Sequence, residues 1–336
     1  MKLSDFDYSL PEELIAQEPP AERDAARMLV LDRAAQRFED HVFRELPRFL
    51  HEGDCLVLND SRVLPSRLYG TRMKGGAAVE MLLLEPASSD ALEWRALVRP
   101  GKKLRTGDRV RFAEDLSAEI LAHGDRGERV VRFHETSDVY AAIERLGHIP
   151  LPPYIRREDR REDRERYQTV FARERGSVAA PTAGLHFTNA TLDACREAGA
   201  GIARVTLHVG LGTFQPIERE DFENHQLHYE RYSIADDAWE QIRDAKRVVA
   251  VGTTSVRTIE SAAATGQQSG LTSLFIQPGY PFRRVDAMLT NFHLPRTSLL
   301  LLVCAFAGKD FTLAAYRHAV EQRYRFFSYG DCMLVL

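Results

Sequence analysis

The chain has 336 residues, 44% hydrophobic and 28% charged, which is typical of a soluble globular protein with about two domains. Its net charge of −4 excludes a protein that attracts nucleic acid through overall positive charge, so any such contact needs a local patch. The four cysteines are scattered and form no CxxC pair, which argues against a disulfide framework or a metal cluster.

The amino-terminal region contains only short predicted elements. The pattern Ser9-x-x-Glu12 is a capping box and predicts a helix over residues 11–17. Apolar runs at 28–32 and 55–58 predict buried strands, and the polar run 59–62 predicts a turn. The acidic first ten residues do not resemble a signal peptide.

Between residues 67 and 147 the sequence changes to short β-like runs separated by glycine-containing turns. This spacing predicts a small barrel or sandwich, closed by a helix over 137–146. The predicted strands are 68–73, 78–84, 93–98, 109–112, 117–121 and 129–133.

The remainder alternates predicted helices and strands, which indicates an α/β core with a mostly parallel or mixed sheet. The all-β barrel therefore interrupts this core as an insertion. We assign 1–66 and 148–336 to the core and 67–147 to the barrel. The predicted helices are 188–198, 236–247, 254–265 and 312–325, and the predicted strands are 202–209, 248–251, 274–277 and 333–336.

The longest apolar run, 299–307, falls far short of the roughly 20 residues that span a bilayer. We interpret it as a buried helix or strand. The sequence thus predicts a cytoplasmic protein without membrane contact.

Two loops rich in small residues flank the helix predicted at 188–198. The first, 177–187, includes Thr182, Gly184 and His186; the second, 207–214, includes His208 and continues through Gly210, Gly212 and Thr213. Small residues let a ligand approach the backbone, and histidine titrates nearest to neutral pH. The loops are predicted to form the walls of a pocket.

The segment 251–257 lies between a predicted strand and a predicted helix, where parallel sheets bind ligands. Thr253 and Thr254 at the helix start, together with Arg257, could receive a carboxylate or phosphate, or the threonines could simply cap the helix. No Walker motif or GxGxxG is present, so neither ATP nor NAD is indicated.

Residues 156–175, called here the arginine segment, hold eight arginines and six acidic residues. Such a segment is either a solvated charged surface or a strip for an RNA backbone. Tyr167 and Phe171 within it could belong to the core or stack on bases. His225 and His228 suggest a metal site only weakly, because no cysteine or third histidine lies nearby, and the alternative is structural or substrate-contacting histidines.

Several long motifs together resemble the S-adenosylmethionine:tRNA ribosyltransferase-isomerases of queuosine biosynthesis almost from end to end. They occur in one order along the chain, which makes the resemblance highly specific. Ser61, Ser66 and Cys304 depart from the expected pattern, at positions without a proposed role. The motifs span residues 14–17, 23–24, 58–63, 147–155, 167–172, the two pocket loops, 251–257, 290–295 and 324–331.

The resemblance implies an α/β domain interrupted by a β-barrel, and an enzyme that uses S-adenosylmethionine as a ribosyl donor. The implied acceptor is tRNA carrying 7-aminomethyl-7-deazaguanine at the wobble position. The implied product is epoxyqueuosine, with release of adenine and methionine. No prosthetic group or metal is implied, and we expect a cytoplasmic monomer.

That reaction needs a base beside the sulfonium, a proton donor for adenine and a holder for the acceptor amine. We assign catalytic roles to His186 and His208, with Glu230 and Asp331 holding hydroxyls or the amine. We expect Arg160, Arg161 and Arg164, with Tyr167 and Phe171, to contact tRNA. The expected substrate-binding residues are Thr182, Gly184, Gly210, Gly212, Thr213, Thr253, Thr254, Arg257, Asn291 and His293.

Two alternatives from other classes remain open on the residues alone. One is a nonenzymatic RNA-binding module that uses the barrel and the arginines. The other is an ordinary methyltransferase, against which the missing glycine-rich loop after a first strand argues.

Overall fold

A nine-stranded mixed sheet forms the centre of the core in the computed structural model. The structure describes residues 1–101, 104–124, 127–210, 217, 220, 222, 225 and 227–336. The strands of the nine-stranded sheet are β1 (Arg27–Asp32), β2 (Arg37–Val42), β3 (Asp54–Asn59), β12 (Gly201–Leu207), β13 (Glu230–Ile234), β14 (Arg247–Val251), β15 (Ser269–Thr272), β16 (Ala287–Asn291) and β17 (Cys332–Val335). They lie side by side in the order β15-β13-β12-β3-β14-β16-β17-β1-β2.

Four neighbouring strands of this sheet, β12, β3, β14 and β16, run parallel. Their carboxyl ends therefore meet at one edge, where open α/β sheets bind ligands. The residues that follow these ends are Asp60, His208, Gly252 and Phe292.

Six antiparallel strands close into a barrel with its own apolar core, as the turn spacing predicts. Every one of the six predicted strands is present within one to two residues of its predicted bounds. The barrel strands are β5 (Arg67–Arg72), β6 (Ala78–Pro86), β7 (Glu93–Arg99), β8 (Arg109–Ala113), β9 (Leu116–His123) and β10 (Glu128–His134). The prediction of an α/β core interrupted by an all-β barrel is confirmed.

A short parallel pair connects the barrel to the core. β4 (Ser61–Val63) leads into the barrel, and β11 (Glu174–Ser177) pairs with it after the chain has returned. The helix α1 (Val139–Leu146) packs under the barrel, and its amino-terminal cap is Asp138, which accepts from the Ala141 amide, rather than Ser137.

The remaining helices follow the sequence pattern closely. The helix α5 (Thr253–Thr265) ends before Gly266 as predicted, and Gly266 adopts a φ of 71° directly after it. The apolar run 299–307 lies in the helix α6 (Ser298–Ala307), which is buried in the core. These helices are α2 (Asp163–Arg166), α3 (Asn189–Glu197), α4 (Asp236–Asp244), α5 (Thr253–Thr265), α6 (Ser298–Ala307) and α7 (Lys309–Glu321).

Three local predictions are wrong. The polar run 59–62 forms no turn, because Asn59 ends β3 and Ser61 begins β4. Residues 274–277 form no strand: the Leu274 amide donates to Thr272 Oγ1, and its carbonyl accepts from Arg257 Nε. Side chains thus replace a strand partner, while Ile276 remains buried. Residues 12–14 form only a 3₁₀ turn in place of the predicted helix over 11–17.

Among the described residues, no single helix is long and apolar enough to cross a membrane. Only α6 and α7 taken together have the length and apolar composition of a membrane span, and the two helices are bent by 115° relative to each other.

Candidate functional site

The two small-residue loops meet at the carboxyl edge of the parallel strands. The Val178 amide donates to the Val209 carbonyl at 3.0 Å, and the Val209 amide donates to Ser177 Oγ at 2.9 Å. Through these bonds the loops form one wall, with a cavity on each side of Val209. The prediction that they enclose a pocket is therefore confirmed for their described part.

The first cavity, called here the main cavity, has a volume of about 330 Å³ and lies over the start of α5. Its walls combine the first small-residue loop, the α5 start, the end of β16 and two aromatic segments. Of the predicted substrate-binding residues, it brings together Thr182, Thr253, Thr254, Asn291 and His293.

The start of α5 has no side-chain cap, because its N-cap residue is Gly252. Gly252 adopts a φ of 86°, a conformation that other residues rarely adopt. The hydroxyl Oγ1 of Thr254 is buried and has no hydrogen-bond partner in the described part of the chain. The helix start therefore offers the main cavity peptide N–H groups and a hydroxyl, which favour an anion.

Aromatic rings that the sequence argument did not assign to the site form another wall of the main cavity. Tyr154 and Phe327 lie with ring centroids 4.4 Å apart, and Tyr154 Oη is 2.6 Å from Ser328 Oγ. Phe327 has a φ of 71°, which is rare for a bulky residue, and strained residues of this kind cluster at active sites, ligand clamps and switch regions. Both residues lie in motifs that carry the family resemblance, 147–155 and 324–331. Those motifs are the sequence signal that could have identified them as site residues.

His293 is held rigidly at the floor of the main cavity. Its Nε2 is 2.9 Å from Thr290 Oγ1, its amide donates to Tyr316 Oη, and its carbonyl accepts from Tyr8 Oη. Burial lowers the pKa of His293 to about 3, so the ring is neutral at pH 7.

The second cavity, called here the junction cavity, has a volume of about 360 Å³ and lies between the barrel and the core. Its core side contains His208, Gly210 and Glu230, all predicted site residues. Its barrel side contains the end of β6, parts of β7 and β10, and Tyr140 of α1. Val209 lines both cavities and separates them.

His208 packs directly on the backbone of β11. A Cβ at Gly176 would lie 2.8 Å from His208 Nδ1, so only glycine allows this approach. Nδ1 is buried and accepts no hydrogen bond from the described residues. Burial, and then the nearby Arg231, lower the pKa of His208, while Glu174 opposes this. The ring is therefore neutral at pH 7 and can accept a proton.

Glu230 is almost fully buried between the two cavities. One carboxylate oxygen accepts from the Gly210 amide at 2.9 Å, and the other is ion-paired with Arg257. Arg257 also donates from Nε to the Leu274 carbonyl. Glu230 and the Leu274 carbonyl thus engage Nη1 and Nε of Arg257, whereas Nη2 is buried without a hydrogen-bond partner among the described residues. That Arg257 receives a ligand carboxylate stays a prediction.

Three further predicted residues line neither cavity. His186 lies in a small separate cleft with Arg23 and Tyr329, although this cleft shares Ser328 with the main cavity. Burial lowers the pKa of His186 to about 4, and Asn291, which lines the main cavity, opposes this shift. Asp331 accepts from the amides of Arg27 and Arg325, so it holds the carboxyl-terminal loop against β1. Gly184 packs against Phe171, where a Cβ would lie 2.7 Å from the ring. Gly212 and Thr213 lie outside the described residues.

The predicted tRNA contacts are largely structural. Tyr167 and Phe171 are 0% and 5% exposed and belong to the core, so they cannot stack on bases as expected. Arg164 donates to the carbonyls of Glu144 and Gly147 at the end of α1. Arg160 is paired with Glu18, and Arg161 is exposed. Of these three arginines, Arg164 thus attaches the core to the end of α1, while a tRNA contact of Arg160 and Arg161 stays a prediction.

Metal ligands do not cluster in the part of the chain that the structure describes. No group of three or more His, Cys, Asp or Glu side chains there could hold a metal ion.

Comparison with known proteins identifies the family. The model of the family described as queuosine biosynthesis protein matches residues 3–335. The chain belongs to this family. The resemblance inferred from the motifs is thereby confirmed, and it covers the barrel as well as the core.

Relatives in the family are similar over their full lengths. A protein of Solibacter usitatus named S-adenosylmethionine:tRNA ribosyltransferase-isomerase is 61% identical, with 100% of both chains covered. A protein of the same name from Thermotoga maritima is 50% identical, again over 100% of both chains. A crystal structure of S-adenosylmethionine tRNA ribosyltransferase from Thermotoga maritima matches with a TM-score of 0.57 and 41% identity, covering 99% of this chain and 100% of that one.

Proposed function

We propose that this protein transfers and isomerises the ribosyl group of S-adenosylmethionine onto 7-aminomethyl-7-deazaguanine at the tRNA wobble position, giving epoxyqueuosine and releasing adenine and methionine. One observation beyond family membership carries the proposal: an anion-binding, aromatic cavity and a carboxylate-containing cavity meet across the single residue Val209. A two-substrate transfer needs such adjacent sites.

S-adenosylmethionine binds in the main cavity. Its methionine carboxylate lies at the uncapped start of α5, beside the hydroxyl of Thr254. Its adenine and sulfonium lie against the aromatic faces of Tyr154 and Phe327, which favour both a purine and a cation. The rigid bonds of His293 keep this floor in place before the substrate arrives.

The acceptor amine reaches the ribose from the junction cavity. The carboxylate of Glu230, which Arg257 holds in place, accepts a hydrogen bond from the amine, and His208, neutral at pH 7, takes a proton so that the nitrogen can attack. The nitrogen forms one new bond to a ribosyl carbon, while the bonds from the ribosyl group to adenine and to the sulfonium sulfur break. Adenine leaves after taking up a proton, the sulfur leaves as the neutral thioether of methionine, and the carbon–carbon and carbon–oxygen bonds formed in the isomerisation complete the remaining valences. His186 takes no part in this step, because it lies in the separate cleft.

We expect the protein to act in the cytoplasm as a monomer and without a prosthetic group. S-adenosylmethionine is then a co-substrate that is consumed in each turnover.

The test is to incubate the full chain with S-adenosylmethionine and tRNA that carries 7-aminomethyl-7-deazaguanine, and to follow products by mass spectrometry. We expect adenine, methionine and epoxyqueuosine-containing tRNA in equal amounts. Formation of S-adenosylhomocysteine would indicate a methyltransferase instead. Binding of tRNA without any adenine release would indicate a nonenzymatic RNA-binding module.

A further inference from the structure

The junction cavity contains two arginines whose charge the protein does not neutralise. Arg175 on β11 and Arg231 on β13 are both exposed, and neither has an ion-pair partner among the described residues. By contrast, Arg95 in the same cavity is held between Glu85 at 2.6 Å and Glu128 at 2.5 Å. Two positive charges therefore remain available at this opening.

Both arginines are close neighbours of His208. Arg175 directly precedes Gly176, whose backbone contacts the His208 ring. The carbonyl of Arg231 accepts from the His208 amide at 3.0 Å. All three side chains line the same cavity, so a ligand beside His208 lies close to both arginines. Arginine is well suited to bind phosphate at such a position, because its planar group donates to two oxygens at once.

Aromatic side chains complete the opening. Tyr229 is 72% exposed, the largest exposure among the large hydrophobic side chains of the described residues. Tyr140 is half-buried on the barrel side and packs edge-on against Trp94 at 5.3 Å. Exposed aromatic faces of this kind stack on bases that a single-stranded RNA loop turns outward.

The inner part of the cavity offers a hydrogen-bond acceptor in place of a free positive charge. This acceptor is the buried carboxylate of Glu230, which lies beside Gly210 and is ion-paired with Arg257. A ligand that matches this order has phosphates outside, a planar ring in the middle and an amine that donates hydrogen bonds at its inner end. A nucleotide whose base carries an aminomethyl group has all three.

We propose that the junction cavity receives the acceptor nucleotide of the tRNA, turned out of its loop, with its flanking phosphates on Arg175 and Arg231 and its base beside Tyr229. This inference rests on the proposed function, which supplies the identity of the base. It places the main RNA contact at the junction between barrel and core, where Arg175, the last arginine of the arginine segment, takes the role that the sequence assigned to Arg160, Arg161 and Arg164.

The test compares the double variant R175A/R231A with R37A/R317A in the full chain. Arg37 and Arg317 are likewise exposed and unpaired in the described structure, and Arg37 lies on β2, at the far edge of the sheet from β13. Binding of tRNA carrying 7-aminomethyl-7-deazaguanine is measured by fluorescence anisotropy between low and moderate salt. Unfolding curves establish that both variants are folded.

We expect R175A/R231A to weaken tRNA binding by about tenfold or more. It should also reduce the slope of log affinity against log salt by about 1.4, because each single-strand phosphate contact contributes about 0.7. The control double variant should retain the wild-type slope. Tyr229→Ala should weaken binding with an unchanged slope, because stacking releases no counterions.

An unchanged salt slope in R175A/R231A, or an equal loss in the control variant, would overturn the inference. Failure of the proposed function gives a different result, since wild-type protein would then bind tRNA in an Arg175- and Arg231-dependent manner but release no adenine. If wild type releases adenine and R175A/R231A binds tRNA as wild type does, the reaction stands and this binding site is wrong.

Discussion

Arg257 and Glu230 form an ion pair in which each side chain is only 3% exposed. Arg257 lies within α5, whose start lines the main cavity, and Glu230 begins β13 and lines the junction cavity. The pair therefore fixes the distance between the two sites. Removing either partner leaves a buried charge without compensation, which costs far more than the intact pair contributes.

Substitution of Arg257 by Met should destabilise the protein by about 3–5 kcal/mol, the usual cost of leaving one buried charge unpaired. The double variant R257M/E230Q should regain part of this stability but not the activity, because Glu230 is also needed for the amine. Denaturant unfolding and adenine release together check this. Equal stability of R257M and R257M/E230Q would show that the pair is not coupled.

The hydroxyls at the start of α5 should affect substrate binding more than stability. We expect T253A/T254A to raise the KM for S-adenosylmethionine about tenfold, since each lost hydrogen bond to a carboxylate costs about 1 kcal/mol or more. Its unfolding should change little, because Thr254 Oγ1 has no partner among the described residues. T265A, in the last turn of the same helix, is the control and should leave KM unchanged.

Phe327 should contribute to binding of the purine. F327A removes one of the two rings on the cavity wall, and loss of a stacked base costs about 1–3 kcal/mol. The KM for S-adenosylmethionine should rise about tenfold, while tRNA affinity is unaffected. Steady-state kinetics with each substrate varied separately would measure this. A change confined to the KM for tRNA would contradict the assignment. Tyr69→Ala, at an exposed ring on the barrel, is the control.

His208 should act as a base and His186 should not. H208Q is expected to lower kcat by about 10²–10⁴-fold, the range typical of general base catalysis. In wild type the rate should fall only when the pH drops below 6.5, because burial lowers the pKa of His208 and keeps it neutral above that value. H186Q should retain the wild-type rate and pH profile. A large loss in H186Q with little in H208Q would reverse the roles.

The buried histidines should make the protein sensitive to acid. Unfolded His186 and His293 take up protons near pH 6.5, whereas burial holds their folded pKa values at about 4 and about 3. The unfolded state binds more protons as the pH falls from 6.5, so stability declines by up to about 1.4 kcal/mol per pH unit for each histidine. Urea unfolding from pH 7 to pH 5 measures how steeply the free energy of unfolding depends on pH. H293Q should lower this slope by up to about 1.4 kcal/mol per pH unit, which is the contribution of one proton. An identical slope in H293Q would contradict this.

Local patterns predicted the elements that depend on neighbours in sequence. The six barrel strands follow from turn spacing, and α3 and α5 follow from their caps and their terminating glycines. The sequence pattern does not predict four strands of the sheet, which are the edge strands β2 and β15 and the inner strands β13 and β16. Edge strands carry little apolar alternation, and β13 and β16 are only five residues long.

The sequence by itself determined the family, the α/β core with its inserted barrel, and the loops around Val209, because these depend on local periodicity and on long ordered motifs. Only the tertiary structure decided what each polar or aromatic residue contacts. It paired Arg257 with Glu230, buried Tyr167 and Phe171, and separated His186 from His208. The reason is that the order of the strands in the sheet is set by packing of the whole chain and leaves no local pattern in the sequence. That order brings Arg257 and Glu230, which are 27 residues apart, into an ion pair.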